Sequence, residues 1–402
     1  MDNRMKFKRS NIEQQVQQVP QEVKWCKKCV VSNQRPRIIF DDEGVCSGCR
    51  NTDYKNNDVD WDAREKELVE LLEQHRRTDG HWDVIVPSSG GKDSGYVAHQ
   101  LRYKYGMNPL TVTWSPLQYT NIGIQNFTAC IDSGLTNILA TPNGRFQRKL
   151  ARLSFEELGD AFHVFVLGQL SYPFQMAKRL GIKLVFYGEN GEAEYAGDPE
   201  YVDKPYKPSK EWVGQHFKGL TFRELLDYGL KNKDYLTEDD YAESDLIFYE
   251  PPAADELSEA GIKGIHFFSY FHKWSPQENY YYCTEHTGFK PNPERTEGTY
   301  SKYSSLDDKM DGFHYYLRYI KFGLGRCLEE AAHEVRDGHI TREEGVALMR
   351  RYEGEFPKKY FKNFLEYLDI TEEHFWEVLD SWRAPHLWRK VDGNWELKHP
   401  IK

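Results

Sequence analysis

The chain has no apolar run approaching the ~20 residues that a membrane-spanning helix requires. Its first residues, Met1-Asp2-Asn3-Arg4, lack the apolar core of a secretory signal. These absences predict a cytoplasmic protein with no membrane partner. A surplus of basic charge is also missing: 53 Lys and Arg against 63 Asp and Glu leave a net charge of −10, which disfavours a broad nucleic-acid surface. Cysteine is scarce, with 7 in 402 residues, and four of the seven stand in two C-x-x-C pairs, so a metal in a reducing compartment fits better than a disulfide framework. The common nucleotide loop G-x-x-x-x-G-K-[ST] is absent too. Val86 stands where its first glycine belongs and Asp93 where its hydroxyl residue belongs.

Another phosphate loop is present. Ser88-Ser89-Gly90-Gly91-Lys92-Asp93-Ser94 follows the apolar run Asp83 to Pro87 and precedes Gly95 to Tyr105, where Val97, Leu101 and Tyr105 recur at helical spacing. Adjacent glycines let backbone amides approach an anion, the following helix N-terminus adds partial positive charge, and Lys92 adds a full one. Beyond the loop, a strand at 110–114, a helix at 121–133, a strand at 135–140, helices at 146–158 and 165–180 and a strand at 182–187 predict an α/β fold, a doubly wound parallel sheet. The last strand runs into Gly188-Glu189-Asn190. Ligands of such sheets gather beyond the carboxyl ends of the strands, which places Gly188, Glu189 and Asn190 in the crevice with the loop. Lys92, Asp93 and Glu189 are the candidate catalytic residues, and Asp93 with Glu189 the candidate Mg²⁺ ligands, carboxylate and phosphate oxygens being what Mg²⁺ prefers. A solvated loop after the strand is the plain alternative.

Cys26-x-x-Cys29, sixteen residues, then Cys46-x-x-Cys49 fit the spacing of a zinc site whose four thiolates leave no position open for substrate; an iron–sulfur cluster is the alternative. Shifts in composition predict a flexible tail over 1–22, a zinc-binding module over 23–56 and an ATP-binding domain over 57–192 that opens with an amphipathic helix at 61–77. An aromatic-rich substrate insertion over 193–305 and a helical region over 306–402 follow. Tyr195, Tyr201, Tyr206, Trp212, Trp274 and Tyr280 to Tyr282 crowd the insertion, and aromatic faces suit a sugar or a base. In the C-terminal region Lys321-Phe322-Gly323-Leu324-Gly325-Arg326 offers either a close approach to phosphate or a turn between helices.

Ser89 to Ser94 resembles the S-G-G-x-D-S loop of the PP-loop ATP pyrophosphatases, adenine nucleotide alpha hydrolase-like in fold, which implies cleavage of ATP to AMP and pyrophosphate. With the paired cysteines, Thr141-Pro142-Asn143-Gly144, Tyr187 to Glu192, Lys321 to Arg326 and Gly338 to Glu344, the chain resembles N-acetyl sugar amidotransferases of surface-polysaccharide and nonulosonic-acid biosynthesis. That resemblance implies conversion of a sugar's acetamido group to acetamidino. The cofactors it implies are ATP, Mg²⁺ and Zn²⁺, with Ser88, Ser89, Gly90, Gly91, Lys92, Asp93, Ser94, Gly188 and Asn190 binding ATP. Ammonia would come from a separate glutaminase, with a cyclase-like channelling subunit as a further partner. A tRNA 2-thiolation enzyme is the alternative, with Cys130 as sulfur carrier, and a non-catalytic adenine-nucleotide module the third reading.

Overall fold

A computed structural model describes residues 7–197, 199–213, 219–232 and 234–402. The apolar runs of the first half form parallel strands β1 (Val84–Pro87), β2 (Pro109–Trp114), β3 (Thr136–Ala140) and β4 (Leu184–Tyr187). β5 (Tyr206–Pro208) and β6 (Gly264–Phe267) complete a six-stranded sheet of order β3-β2-β1-β4-β6-β5, in which only β5, at the edge, is antiparallel. Side chains alternate across each strand. Ile85, Val185 and Ile265 pack on one face against Phe146, Leu150, Val164 and Phe174 of helices Gly144–Leu158 and His163–Leu180. Val84, Val86, Leu184 and Phe186 pack on the other against helices Trp61–His75 and Lys92–Tyr103 through Leu68, Leu72, Val97 and Leu101. Helices cover both faces, so the central strands are apolar throughout.

Local chemistry sets the helix ends. Asn143 Oδ1 accepts from the Arg145 and Phe146 amides to open Gly144–Leu158, and Gly159 closes it at φ 62°. The expected helices at 121–133, 146–158 and 165–180 are observed at Asn121–Asp132, Gly144–Leu158 and His163–Leu180.

Three expectations about organisation need correction. The segment 193–305 is not a separate insertion: it supplies β5 and β6 to the main sheet, and its helix Pro276–His286 lies against Lys92–Tyr103. Backbone pairing with β4, not a second core, determines where this stretch goes. Of the tail expected over 1–22, residues 1–6 lie outside the described residues, and the rest is docked. Arg9 stacks 4.0 Å over the Trp382 ring, and Glu13, 0 % exposed, has Lys321 Nζ at 3.5 Å. Lastly, the C-terminal region is helical from Asp311–Phe322 to Glu372–Ser381 but ends in a hairpin, β7 (Trp388–Val391) and β8 (Asn394–Leu397), turned by Asp392-Gly393 with both φ positive. It is fused to the sheet layer rather than set beside it, since Phe155 of Gly144–Leu158 stacks on Phe375 with centroids 5.6 Å apart. None of the described helices is long and apolar enough to cross a membrane.

Candidate active site and metal centre

Strand order reverses between β1 and β4, and a crevice opens beyond the carboxyl ends of strands at such a reversal. A cavity of about 230 Å³ lies there. Ser88, Ser89, Gly91, Asp93 and Ser94 line it from the loop after β1, Val112 to Trp114 from β2, Gly188 and Glu189 from the turn after β4, and Phe165 and Tyr172 from the His163–Leu180 helix. The Thr113 hydroxyl donates to the Ser88 carbonyl and ties the loop to β2, while Ser88 Oγ and Ser94 Oγ share a hydrogen bond of 2.9 Å across the loop. Gly91 is the N-cap of the Lys92–Tyr103 helix and offers no side chain there, which leaves the helix N-terminus to a ligand.

Asp93 is the junction of the site. One oxygen pairs with Lys92 Nζ and the other accepts from Asn279 Nδ2 at 3.0 Å. Lys92, only 8 % exposed, faces a smaller cavity on the far side of Asp93, where Tyr303, Arg326, Glu330 and Glu334 also stand. Glu189 receives the Tyr195 hydroxyl at 3.2 Å, and burial together with the neighbouring Asp93 pushes its carboxyl up to about 7. A divalent cation between the two carboxylates would relieve that repulsion, so the pair fits Mg²⁺.

Three expected ATP ligands do not line this crevice: Lys92, which faces the smaller cavity, Gly90 and Asn190. Gly90 does not line the crevice: its amide donates to Ser88 Oγ at 3.2 Å, its φ is 85°, and a Cβ there would lie 2.5 Å from the Phe127 backbone. Packing against the Asn121–Asp132 helix is what demands this glycine. Asn190 is 3 % exposed, and its side chain accepts from the Glu192 amide and donates to the Tyr201 carbonyl at 2.7 Å. Its side chain caps the turn after β4. The turn at Lys321 to Arg326 is a helix–helix connection, with Gly323 closing one helix at φ 70° and Gly325 opening the next, and Lys321 Nζ donates to the Leu158 carbonyl.

Sequence reasoning missed Asn279, Cys283, whose thiol donates to the Lys92 carbonyl at 3.0 Å, and Arg326 as a neighbour of Lys92. Ser275-Pro276-Gln277-Glu278 carried a readable helix start, a serine N-cap followed by proline, that places Asn279 one turn in and Cys283 two turns in, on one helix face. Among the described residues, the thiols near the loop, Cys130 and Cys283, are both buried. Burial raises the Cys130 thiol to about 11 and Cys283 to about 12, the opposite of what a reactive carrier needs.

Cys26, Cys29, Cys46 and Cys49 meet in a buried cluster whose four sulfurs all lie within 4.8 Å of one another. Cys26 to Cys49 is 3.8 Å and Cys29 to Cys46 is 3.7 Å. A tetrahedron with Zn–S bonds of ~2.3 Å has edges of about 3.8 Å, so the cluster fits one ion and is too tight to enclose several irons. Amides of Lys28, Cys29 and Cys46 point at Cys26 Sγ, and Arg336 supplies positive charge beside the other three cysteines. Val30, Val31 and Val45 dock the module on Leu328, Ala331 and Val346 of the C-terminal helices.

Comparison with known proteins bears on those helices. Residues 297–402 match the family model of the LPS biosynthesis protein WbpG-like C-terminal domain. The WbpG-like region therefore includes Arg326, Glu330 and Glu334 beside Lys92, and the helices that carry the cysteine module. No curated protein sequence matches the chain. Among solved structures, an NMN synthetase from Francisella tularensis aligns with 15% identity and a TM-score of 0.28, covering 59% of this chain and 90% of that one.

Proposed function

We propose that the chain is an ATP-dependent amidotransferase, a carbon–nitrogen ligase that turns the acetamido group of a sugar or nucleotide sugar into an acetamidino group in surface-glycan synthesis. The observation that carries this reading is the loop Ser88 to Ser94 at the strand-order reversal, with Asp93 facing Glu189 across one crevice. The WbpG-like match of residues 297–402 supports the glycan setting.

An amide oxygen is a poor leaving group. In the proposed reaction it displaces pyrophosphate from the α-phosphorus of ATP, ammonia adds to the amide carbon, and AMP departs with the oxygen. The apolar wall of Phe165 and Tyr172 receives the adenosine and the Gly91 end of the helix meets the charge of the departing pyrophosphate, with Lys92 reaching it through the adjoining smaller cavity beyond Asp93. Mg²⁺ on Asp93 and Glu189 would neutralise phosphate charge. Zinc on Cys26, Cys29, Cys46 and Cys49 keeps a structural role, and a partner glutaminase supplies the ammonia.

The test is incubation with ATP, Mg²⁺, ammonium and an acetamido nucleotide sugar. AMP should appear together with the O-to-NH mass change in the sugar, and glutamine should replace ammonium only when a glutaminase partner is added. ADP as product, or AMP with an unchanged sugar, refutes the reading.

A further inference from the structure

The smaller cavity beyond Asp93, of about 60 Å³, has the Arg326–Asp337 helix as one wall, with Glu330, His333, Glu334 and Asp337 on the face turned to it. It takes in the exposed His339 as well as the buried Lys92, and it shares Asp93 with the nucleotide crevice. We infer that this cavity is the port for ammonia: Glu334, Asp337 and Nε2 of His333 hold an ammonium ion, one of the two carboxylates takes a proton from it, and the ammonia so formed passes Asp93 into the crevice. The proton then leaves to water on the side where His339 is exposed, which restores the carboxylate. The inference rests on the amidotransferase reading for the fate of the ammonia, and on the cavity alone for the ammonium ion.

Most charges around the cavity are already matched. Lys92 pairs with Asp93, Arg326 with Glu330 at 2.9 Å, and Glu329 with Arg318 and Arg35. Glu334 and Asp337 remain, and among the described residues neither joins an ion pair. The exposed His339 faces both, and the Tyr300 hydroxyl lies beside Glu334. Arg336 and Lys55 also face Asp337, but Arg336 donates to the Glu194 carbonyl at 2.6 Å and Lys55 holds both Glu194 carboxylate oxygens at 2.8 Å. Burial pushes both carboxyls up, Asp337 to about 6, a cost that a cation between them relieves. Both also fall in the last turn of their helix, where the carbonyl ends favour a cation, so neither is there to stabilise the helix. His333 gives independent support. It is 6 % exposed, and burial, with Arg336, Lys55 and Lys92 nearby, holds its pKa well below the ordinary value, so the ring is neutral. One ring nitrogen meets the Glu194 carbonyl and Nε2 has no partner, which leaves Nε2 a buried acceptor. Ammonium is all donors, and the groups left over here are all acceptors. Among the described residues only the four cysteines gather metal-ligating atoms within 4.8 Å of one another, so these groups stand too far apart to close on a divalent ion. N–H···O contacts of ~2.9 Å span more than Mg–O bonds of ~2.1 Å. A molecule of water's size needs ~10–15 Å³ of such space, so the cavity suits ammonia rather than a sugar. Tyr195, packed edge-on against His333, donates its hydroxyl to Glu189, so the port borders both candidate Mg²⁺ ligands.

The test compares thermal unfolding of the full chain in ammonium chloride and in tetramethylammonium chloride at equal ionic strength. The second cation carries the same charge, has no N–H and is too large for the cavity. Wild type should unfold roughly 2 °C higher in ammonium, as a site filled at about ten times its Kd gives in a chain of this size. Glu334→Gln/Asp337→Asn keeps the shape, removes the charge and should abolish the difference. In steady-state AMP formation the same variant should raise KM for ammonium by roughly 10-fold or more, the usual worth of a charge-assisted contact. KM for ATP should stay within twofold, a split between substrates that a merely structural defect does not produce. Glu334→Gln alone, at a half-buried position, should raise the ammonium KM too and carries the test if the double variant does not fold. Equal unfolding temperatures in the two salts, or a folded variant that keeps the ammonium shift, overturns the inference. Amidino product formed with an unmoved ammonium KM refutes the port and leaves the chemistry standing. An ammonium shift that the variant loses, without AMP from any acetamido sugar, refutes the chemistry and leaves the ammonium site.

Discussion

Two turns of this protein look alike in sequence: Ser88 to Ser94 and Lys321 to Arg326 each combine two glycines with a lysine or arginine just before a helix. Their surroundings differ. At the first, the Gly91 N-cap of the Lys92–Tyr103 helix opens on a cavity of about 230 Å³, and nothing on a side chain caps it. At the second, the Glu353 carboxylate accepts from the Gly325 amide and, at 3.0 Å, from the Leu328 amide. One helix N-terminus is left open to the cavity; the other is already capped by an internal carboxyl group. A glycine-cation pattern therefore identifies a possible anion site, and a carboxylate 28 residues away in the chain decides whether the site is free.

The largest expected contrast is in rate. Lys92→Ala should lower AMP formation by ~10²–10³, as loss of a single donor to developing charge does, with thermal unfolding close to wild type. A folded Lys92→Ala protein with near wild-type AMP release would show that the first turn is not the catalytic one. Next in size, Glu353→Ala strips the internal anion from the second turn and leaves two helix amides unpaired. It should cost ~1–3 kcal/mol in urea unfolding while AMP formation per folded molecule changes by less than the Lys92 variant's loss. Equal loss of rate in both variants would erase the distinction between the turns.

A smaller effect follows from pH. Burial pushes Glu353 from its ordinary 4.5 up to about 7. Between those values the folded protein binds more protons than the unfolded chain, so this group's contribution is fully present below 4.5 and is lost as pH rises through about 7. Urea midpoints should fall across that window in wild type and flatten in Glu353→Gln. The smallest expected change is Ser94→Ala. Its hydroxyl is one of two bridging the first loop, and losing it should reduce AMP formation by less than ~10-fold, the worth of one neutral hydrogen bond.

Much of the sheet-forming half was readable because its signals are local. The strands and helices from 84 to 187 follow from apolar periodicity and glycine stops, and all but the exact ends agree. The Asp392-Gly393 turn and the Ser275-Pro276 helix start were equally local signals, available but unused. β6 was not legible: four residues, Gly264–Phe267, carry too little pattern to stand out, and only pairing with β4 gives them a strand's role. Among the expected site residues, Glu189 reached the crevice and Asn190, one position on, was consumed by capping. Successive residues at the end of a strand point different ways, and composition does not say which faces the ligand.

What the sequence by itself determined is what neighbouring residues decide together: the paired cysteines at metal spacing, the glycine-rich loop between a strand and a helix, and the βα alternation that builds a parallel sheet. These depend on turn chemistry and periodicity over a few residues. Only the tertiary structure decided which distant groups meet. Asn279 reaches Asp93 across 186 positions, Arg35 and Arg37 of the cysteine module reach Glu329 and Glu192, and Glu353 fills the second helix N-terminus. Such contacts arise from burial of both sheet faces and from strand pairing across long loops, forces summed over the whole chain that leave no mark on the residues immediately beside them.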